Sequence, residues 1–537
     1  MDIPTFTPKL PVIPDAEQTP LVRSLLQLIA QQQEHIQRLE DEIRRLKGGP
    51  PRPQLKPSML EPGGSQESGG SEAAASDAPR HRGPRRQKTA ELTIHVTERV
   101  PLADVPAGSR FKGCRRYVVQ ELDIRVQNIC FLLEQWQLPT GEYVTASVPL
   151  AVQGGHYGPQ LVSYVLHQYY HAHVTQPLLR EQLHEWGIEM SAGQLNHLLT
   201  AGHERFHEEK AELKAVGLAV SRYFQADDTG ARHQGRNGYC TYIGNDLFAW
   251  FASTEHKSRI NFLELLQTER RYEVNAEALA YLTERGVAAC HREVLAARPV
   301  VLTDSKAWAT YLHRCGIHSP RAVTLATEGA LLGGLVSQGV RLDIGLVSDG
   351  AGQFDLFVHG LCWMHAERPL QHLLPLNELD RRAIEWTRQQ VWTLYRELKA
   401  YCQQPDPTVK AQLTTAFESL CATETTCEPL NQVLQHLQAN QAELLRVLER
   451  PELPLHNNRS ENDLRDMVKK RKISAGTRSD EGRRCRDTFA SLKKTCRKQG
   501  LSFWEYLNDR VSGLKVIPPL ADWIRRAAVS RHGPARS

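Results

Sequence analysis

The stretch AVSRYFQADDTGARHQGRNGYCTYIGNDLFAWFAST, residues 219–254, contains three consecutive strand patterns. Aromatic and β-branched residues are frequent in each run, and the turn from Gly244 to Asp246 separates the second run from the third. The first run ends on adjacent carboxylates, Asp227 and Asp228. Since a buried carboxylate without a partner is unfavourable, the rest of the chain must supply whatever these two face.

A helix pattern, SRINFLELLQ, follows at 258–267, and a later strand, LDIGLVSD, ends on Asp349. Three antiparallel strands, a helix and a further strand are the order of an RNase H-like fold, an α/β core with a mixed five-stranded sheet and helices. In that fold the first and fourth strands are neighbours, so the carboxylates at their ends meet. We therefore expect Asp349 to face Asp227.

A third acid follows a long helical segment. Residues 369–452 are almost wholly helical in pattern, and HNNRSENDLRDMVKKRKISAGTR follows at 456–478. The start of this run favours a helix N-terminus, which puts Glu461 in the first turn. Carboxylates from two or three elements form the smallest cage for two divalent cations, and Mg²⁺ prefers such oxygen ligands. Asp304, which ends the run VVLTD, is a rival acid.

Composition sets the class of protein. The chain has 537 residues, of which 41% are hydrophobic and 24% charged, as in a soluble protein of several domains. The sequence has no apolar run long enough for a bilayer and no signal-peptide pattern at its start, so we expect a cytoplasmic protein without membrane contact. Eleven cysteines without paired CxxC spacing indicate reduced thiols.

The N-terminal segment, 1–47, carries a heptad seam from Val22 to Leu46. Its residue types favour a parallel two-stranded coiled coil over 22–46, and hence a homodimer or higher oligomer. An amphipathic helix folded onto its own domain is the alternative. Residues 48–90 are rich in Pro, Gly and Ser and predict a disordered linker, which favours the coil because it detaches the helix from the domains after residue 90.

The remaining domains are indicated by changes of pattern. Short alternating runs predict a small strand-rich domain over 91–150. Residues 151–216 are helical, and two short helices around Gly187, with Ser191 as N-cap of the second, have helix-turn-helix spacing typical of DNA binding. Plain helical packing is the alternative. The catalytic core would then comprise 217–368 and 453–515, separated by the insertion at 369–452 and followed by a basic tail, 516–537.

Positive charge is concentrated near the end of the chain. The formal net charge is +5, yet residues 459–500 alone hold 14 Lys or Arg against 6 Asp or Glu. Such a tract favours contact with nucleic-acid phosphate, with a solvated helix face as the alternative. The run KKTCRK at 493–498 extends it. The individual candidates for DNA binding are Arg368, Arg465, Lys469, Lys472 and Arg478.

Three blocks, at 225–266, 348–370 and 457–507, together resemble the insertion-sequence-66 family of bacterial transposases. They contain QADDTGARHQGRNGYCTYIGND, SDGAGQF with CWMHAERPL, and NNRSENDLRDMVKKRKISAGTR. The resemblance covers roughly 90–515. It implies an RNase H-like core of the DDE type with a helical insertion before the glutamate, and Mg²⁺, or Mn²⁺ as a substitute, as cofactor. By motif it assigns Asp227, Asp349 and Glu461 as catalytic metal ligands, with Asp228 as the alternative if the register differs by one.

Two further residues belong to the same blocks. Cys362 and His365 form a C-x-x-H pair that resembles a signature following the second aspartate in several DDE families. One Cys and one His do not make a zinc site, so we expect packing or hydrogen bonding near the metals. Arg368 is a candidate for phosphate contact or for an ion pair with the insertion. Many family members carry a zinc-finger-like cluster, which Cys114 and Cys130 alone cannot form.

The sequence therefore predicts a DDE transposase of a bacterial insertion sequence. It would bind the element ends and target DNA, associate with the nucleoid when bound, and use the freed 3′-OH for strand transfer. Other element-encoded proteins are further candidate partners. A catalytically inactive DNA-binding relative of such an enzyme, and an RNase H-fold nuclease without strand transfer, are the alternatives.

Overall fold

The structure, a computed structural model, describes residues 92–149 and 155–532. The predicted coiled coil at 22–46 and the linker at 48–90 lie outside these residues. The chain divides into two units between Glu121 and Leu122. In the first unit, residues 92–121 form no helix or strand. No described helix is long and apolar enough to cross a membrane, and all eleven cysteines, which lie within the described ranges, are free.

Two short strands lie in the predicted strand-rich region of 91–150. β1 (Gln135–Gln137) and β2 (Tyr143–Thr145) form an antiparallel hairpin. The other described residues of this region carry no helix or strand.

The second unit is built on a mixed sheet. Its strands are β3 (Tyr223–His233), β4 (Arg236–Gly244), β5 (Ala249–Thr254), β8 (Gly345–Ser348), β9 (Val358–Leu361) and β10 (Gly476–Thr477). The spatial order is β5-β4-β3-β8-β9. β3, β4 and β5 are antiparallel, whereas β8 and β9 run parallel to β3, and β10 pairs with the end of β3. This order is compatible with the predicted RNase H-like core. β6 (Tyr272–Glu273) and β7 (Val301–Leu302) form a separate small ladder.

Helices surround this sheet. Those before β8 are α1 (Pro159–Tyr170), α2 (Gln176–Glu185), α3 (Ala192–Thr200), α4 (Glu204–Val220), α5 (Arg259–Leu266), α6 (Ala276–Glu284), α7 (Ala289–Ala296), α8 (Ser305–Arg314) and α9 (Pro320–Ser337). Those after β9 are α10 (Trp363–His372), α11 (Glu378–Gln403), α12 (Pro407–Cys421), α13 (Glu428–Ala439), α14 (Gln441–Leu444), α15 (Asn458–Ser474), α16 (Asp480–Lys498), α17 (Phe503–Ser512) and α18 (Leu520–His532).

The edge of the sheet at β5 is covered by α16. Ser491 and Thr495 accept hydrogen bonds from the backbone N–H groups of Phe251 (2.9 Å) and Ala249 (3.1 Å). These hydroxyls satisfy strand donors that would otherwise be unpaired, and the helix covers an edge that could pair with another chain. Phe489 on the same helix is fully buried in the main core.

The helix pair predicted around Gly187 is present as α2 and α3. Gly187 has φ +76, which closes the turn after α2. Ser191 caps α3 in a reciprocal capping box with Gln194, as predicted. Leu195 and Leu199 of α3 are buried in the main core. DNA reading by α3 stays a prediction.

The rival acid Asp304 is a capping residue. Its exposed carboxylate accepts the N–H of Ala307 (2.7 Å) at the start of α8. It lies beside the small β6–β7 ladder rather than at an end of the main sheet. We therefore exclude it from the candidate site.

The predicted helical insertion has a hydrophobic core of its own. α10 to α14 bury a cluster that includes Leu398, Phe417 and Leu434. Trp363, expected to be a core residue, belongs to this cluster, and its indole N–H donates to the carbonyl of Leu444 (2.9 Å). The insertion is therefore a packed helical subdomain from which the chain returns to the sheet at α15.

Candidate active site

Asp227 and Asp349 come together as the strand order predicts. β3 and β8 are parallel neighbours, with Gln225 opposite Val347. Continuing that register by two residues sets Asp227 beside Asp349 at the same end of the sheet. Within the described ranges neither carboxylate forms an ion pair. Two acids thus share one edge without a countercharge.

Glu461 joins them from α15, whose first turn contains it. The electrostatics of Asp227 report this convergence. Burial, followed by repulsion from Asp349 and a smaller repulsion from Glu461, raises the pKa of Asp227 to about 7, although the N–H of Asp228 donates to its carboxylate (2.7 Å). Carboxylates crowded without a cation behave in this way.

Asp228 is engaged elsewhere. Successive strand residues point to opposite faces, and the hydroxyl of Thr241 on β4 donates to one carboxylate oxygen of Asp228 (2.5 Å). The side-chain amide of Gln353 donates to the other (2.8 Å). Burial raises the pKa of Asp228, but these two hydrogen bonds lower it in part. The geometry therefore favours Asp227 over Asp228 as the metal-facing acid.

The turn after β8 fixes Asp349. The buried hydroxyl of Ser348 is hydrogen-bonded to Nε2 of His359 (2.9 Å) and accepts the N–H of Gly350 (3.3 Å). Gly350 has φ +87, where a side chain would be strained. The N–H of Ala351 then donates to Asp349 itself (3.1 Å). This loop holds the carboxylate at the strand end.

Gln225 is a site residue that the sequence analysis missed. It is fully buried on β3, two residues before Asp227 and therefore on the same face of the strand. Its amide donates to the carbonyl of His456 (2.9 Å) and accepts the N–H of Ser460 (3.3 Å). Because no side chain of α15 caps this N-terminus, Gln225 supplies the cap from the sheet. One strand face thereby carries Asp227 and also holds the helix that carries Glu461.

Cys362 and His365 lie in different surroundings. The buried sulfur of Cys362 accepts the N–H of Asn457 (3.4 Å), just before α15, and burial raises the thiol pKa. His365 is one turn further along α10, and its Nε2 lies 3.4 Å from Glu461. A guanidinium nitrogen of Arg368 lies 3.9 Å from the same carboxylate oxygen. The predicted packing role thus applies to Cys362, whereas His365 and Arg368 face the third acid.

The basic tract divides into exposed and buried parts. Four cations are exposed and form no ion pair among the described residues; we call them the exposed basic tract: Arg465, Lys469, Lys472 and Arg478. The prediction that KKTCRK, residues 493–498, extends this tract is largely wrong. Lys493 and Lys494 are buried and bind Asp466 at 3.1 and 3.0 Å. Burial alone would raise the pKa of Asp466, but these two ammonium groups hold it far below its ordinary value.

A second group of possible metal ligands lies at β9, the strand next to β8. Donor atoms of Asp355, His359 and Glu443 all fall within 4.8 Å of one another. Asp355 is already bound by Arg285 (2.7 Å), and Arg259 lies 3.6 Å away. Two guanidinium groups at one ligand oppose a cation there, so the group around Asp227 fits a metal better.

A protein-family model described as "Transposase IS66 family" matches residues 345–484 of the chain. This range includes Asp349 and Glu461 but not Asp227. "Uncharacterized protein y4jO" of Sinorhizobium fredii (strain NBRC 101917 / NGR234) is 42% identical over 312 residues, which cover 57% of this chain and 97% of that protein. No solved structure matches. The chain belongs to the IS66 family of transposases.

Proposed function

We propose that this protein is a DDE transposase of a bacterial insertion sequence. It binds the element ends, cleaves the DNA there and joins the freed 3′-OH to target DNA. The observation that carries the proposal is the convergence of Asp227, Asp349 and Glu461, with no cation paired to the first two in the described part of the chain. Membership of a transposase family supports the same reaction class. We further propose that the mixed sheet is an RNase H-like core.

The three carboxylates fit divalent cations by the chemistry of their oxygens, and burial together with repulsion from Asp349 raises the pKa of Asp227, as expected of a crowded acid without a cation. Asp227, Asp349 and Glu461 would hold Mg²⁺, or Mn²⁺ as a substitute. When bound, a pair of such ions stabilises the attacking and leaving oxygens of an in-line displacement at phosphorus.

The protein's own groups position the acids and the DNA. Gln225 fixes the N-terminus of α15 against β3, so Asp227 and Glu461 keep their separation. Arg368 is half exposed beside Glu461 and is available to a phosphate. The exposed basic tract continues along α15 and beyond it, where it would hold the DNA backbone. We assign end recognition to α3, and action to the bacterial cytoplasm on nucleoid DNA.

The test uses the full chain, Mg²⁺ or Mn²⁺, and a duplex with a pre-cleaved element end. Joining supports the transposase, cutting alone supports a nuclease on the same fold, and binding alone supports an inactive relative. Asp227→Asn, Asp349→Asn and Glu461→Gln should each abolish joining while end binding persists. Asp304→Asn is the matched control, because Asn caps a helix as well as Asp does. Joining that survives Glu461→Gln would refute the third assignment.

A further inference from the structure

A small cavity lies beyond the acids, between the second half of β3 and the C-terminal half of α15. Its volume is about 40 Å³, and β10 closes one side. A buried water needs roughly 10–15 Å³ by the same measure, so the cavity admits about three water-sized groups. A backbone phosphate has two non-bridging oxygens, which a space of this size admits.

The lining of this cavity is strongly cationic. Lys470, Arg471, Arg232 and Arg486 contribute to it, and no carboxylate does. Arg486 is paired with Asp487 (2.9 Å). The other three cations form no ion pair with any residue that the structure describes. The cavity therefore concentrates positive charge that the protein itself does not neutralise.

Lys470 is the most confined of these cations. Only 8% of it is exposed, its ammonium lies 3.6 Å from the centre of the Tyr169 ring, and it donates to the Tyr169 carbonyl (3.4 Å). Burial, and then repulsion from Lys493, lowers its pKa to about 8. A buried cation without a countercharge is destabilising, and a bound anion would offset that cost.

Arg471 is held at the cavity by the backbone. Its guanidinium donates to the carbonyl of Gly230 (2.5 Å). A Cβ at Gly230 would lie 2.8 Å from the same guanidinium nitrogen, so a side chain at position 230 would require Arg471 to shift. Asp480, at the start of α16, is engaged by His233 (3.2 Å) and Arg483 (2.8 Å).

The position of the cavity relates it to the acids. Gly230 is three residues beyond Asp227 on β3, or about 10 Å at roughly 3.3 Å per residue. Lys470 is nine residues beyond Glu461 on α15, or about 14 Å at roughly 1.5 Å per residue. β3 and α15 pack side by side, so the distance along each element places the cavity in the same region, about 10 to 14 Å from the acids. Successive nucleotides of one strand are about 3.4 Å apart along the helix axis, so for a duplex whose axis follows α15 the cavity lies roughly three to four nucleotides from the acids.

We propose that this cavity binds a phosphate group. In the DNA complex the group is a backbone phosphate three to four nucleotides from the phosphodiester at the acids, and this part of the proposal rests on the proposed function. A free phosphate or nucleotide offers the same chemistry, so the experiment separates the two sources.

The first measurement is thermal melting of the full chain in sodium phosphate and in sodium chloride of equal ionic strength. Phosphate should raise the Tm of the wild type, and the double variant Lys470→Met with Arg471→Met should lose that rise. Methionine retains the stem over Tyr169. Arg232 is exposed, so Arg232→Met provides a second variant with little risk to folding, and it should reduce the rise. The control, Arg314→Met with Arg321→Met, removes two exposed cations from another lobe. This variant should retain the phosphate-dependent rise in Tm.

The second measurement is DNA affinity against salt concentration. For one lost phosphate contact the double variant should have a slope smaller in magnitude by about 0.9. Single methylphosphonates, which lack the charge, should weaken wild-type binding three to four nucleotides from the cleaved end and leave the double variant unaffected there.

The outcomes separate the sources. A lost phosphate rise with unchanged DNA behaviour would overturn the DNA assignment and identify a free anion as the ligand. If neither measurement changes, the cavity does not bind phosphate and the proposal is overturned. Asp349→Asn should retain both effects, so failure of catalysis and failure of the cavity are distinguishable.

Discussion

Replacing Asp227 with Asn should stabilise the metal-free protein at neutral pH while abolishing DNA cleavage. Burial and repulsion from Asp349 raise the pKa of this carboxyl from an ordinary 3.8 to about 7. At about 1.4 kcal/mol for each tenfold change in protonation, the charged form is disfavoured in the folded state by at most roughly 4 kcal/mol. Asn carries no charge and so removes this penalty, and we expect roughly half of it to appear as added stability.

The pH dependence has a definite sign. Because the folded-state pKa lies above the unfolded value, the stability that Asp227 contributes is complete below pH 3.8 and is lost as the pH rises through about 7. The advantage of Asn over Asp should therefore be small below pH 3.8, reach less than half of its final size by pH 5, grow steadily towards pH 7, and level off above it. A packing effect of the amide would not change with pH.

The assay is the Tm of wild type and Asp227→Asn in EDTA from pH 5 to pH 8. We expect the variant to melt several degrees higher than wild type at pH 8 and less than half as far above it at pH 5. Added Mn²⁺ should raise the Tm of wild type and leave the variant almost unchanged. Asp304→Asn, at an exposed cap, should show neither effect. An Asp227→Asn variant that melts at or below the wild-type temperature in EDTA at pH 8 would refute the reasoning.

Three further predictions concern other parts of the chain. Gln225→Leu should lower the Tm and raise the Mn²⁺ concentration needed for half-maximal cleavage, whereas Gln267→Leu, which removes an equally buried amide bonded to two carbonyls elsewhere, should lower only the Tm. Equal metal requirements in the two variants would contradict a positioning role for Gln225. Ile29→Lys with Ile36→Lys should halve the mass measured by light scattering, because charge would enter the heptad seam; an unchanged mass would exclude the coil as the main dimer contact. Alanine at all four positions of the exposed basic tract should reduce the magnitude of the salt slope by up to roughly 4 while preference for element ends persists. A preserved slope would make the tract a solvated face.

The acid group could be predicted because it depends on topology more than on side-chain detail. Local alternation and turns predict the strands, and the fold that their order suggests makes the strands of Asp227 and Asp349 neighbours, as they are in the structure. The first turn of α15 is likewise a local feature, so Glu461 could be placed on it. Choosing between Asp227 and Asp228 required the structure, since that choice depends on Thr241 and its hydrogen bond.

The parts that could not be predicted depend on distant partners. Gln225 acts on backbone atoms of His456 and Ser460, which no local pattern relates to it. In the sequence, Lys493 and Lys494 resemble exposed cations. In the structure they form ion pairs with Asp466 of α15. In the lobe between β5 and β8, α9 is buried along most of its length. It therefore lacks the polar face that reveals a helix in sequence.

The helical insertion has a closer relation to the three acids than its separate core suggests. α10, its first helix, begins at the end of β9 and presents His365 and Arg368 to Glu461. The backbone N–H of Trp363 donates to the carbonyl of Leu455 (2.9 Å), which ties the start of the insertion to the segment that returns from it. Glu461 is thus held from two sides, by Gln225 on the sheet and by α10 from the insertion. Any movement of the insertion when DNA binds would reach the third acid directly, while Asp227 and Asp349 remain fixed by the sheet.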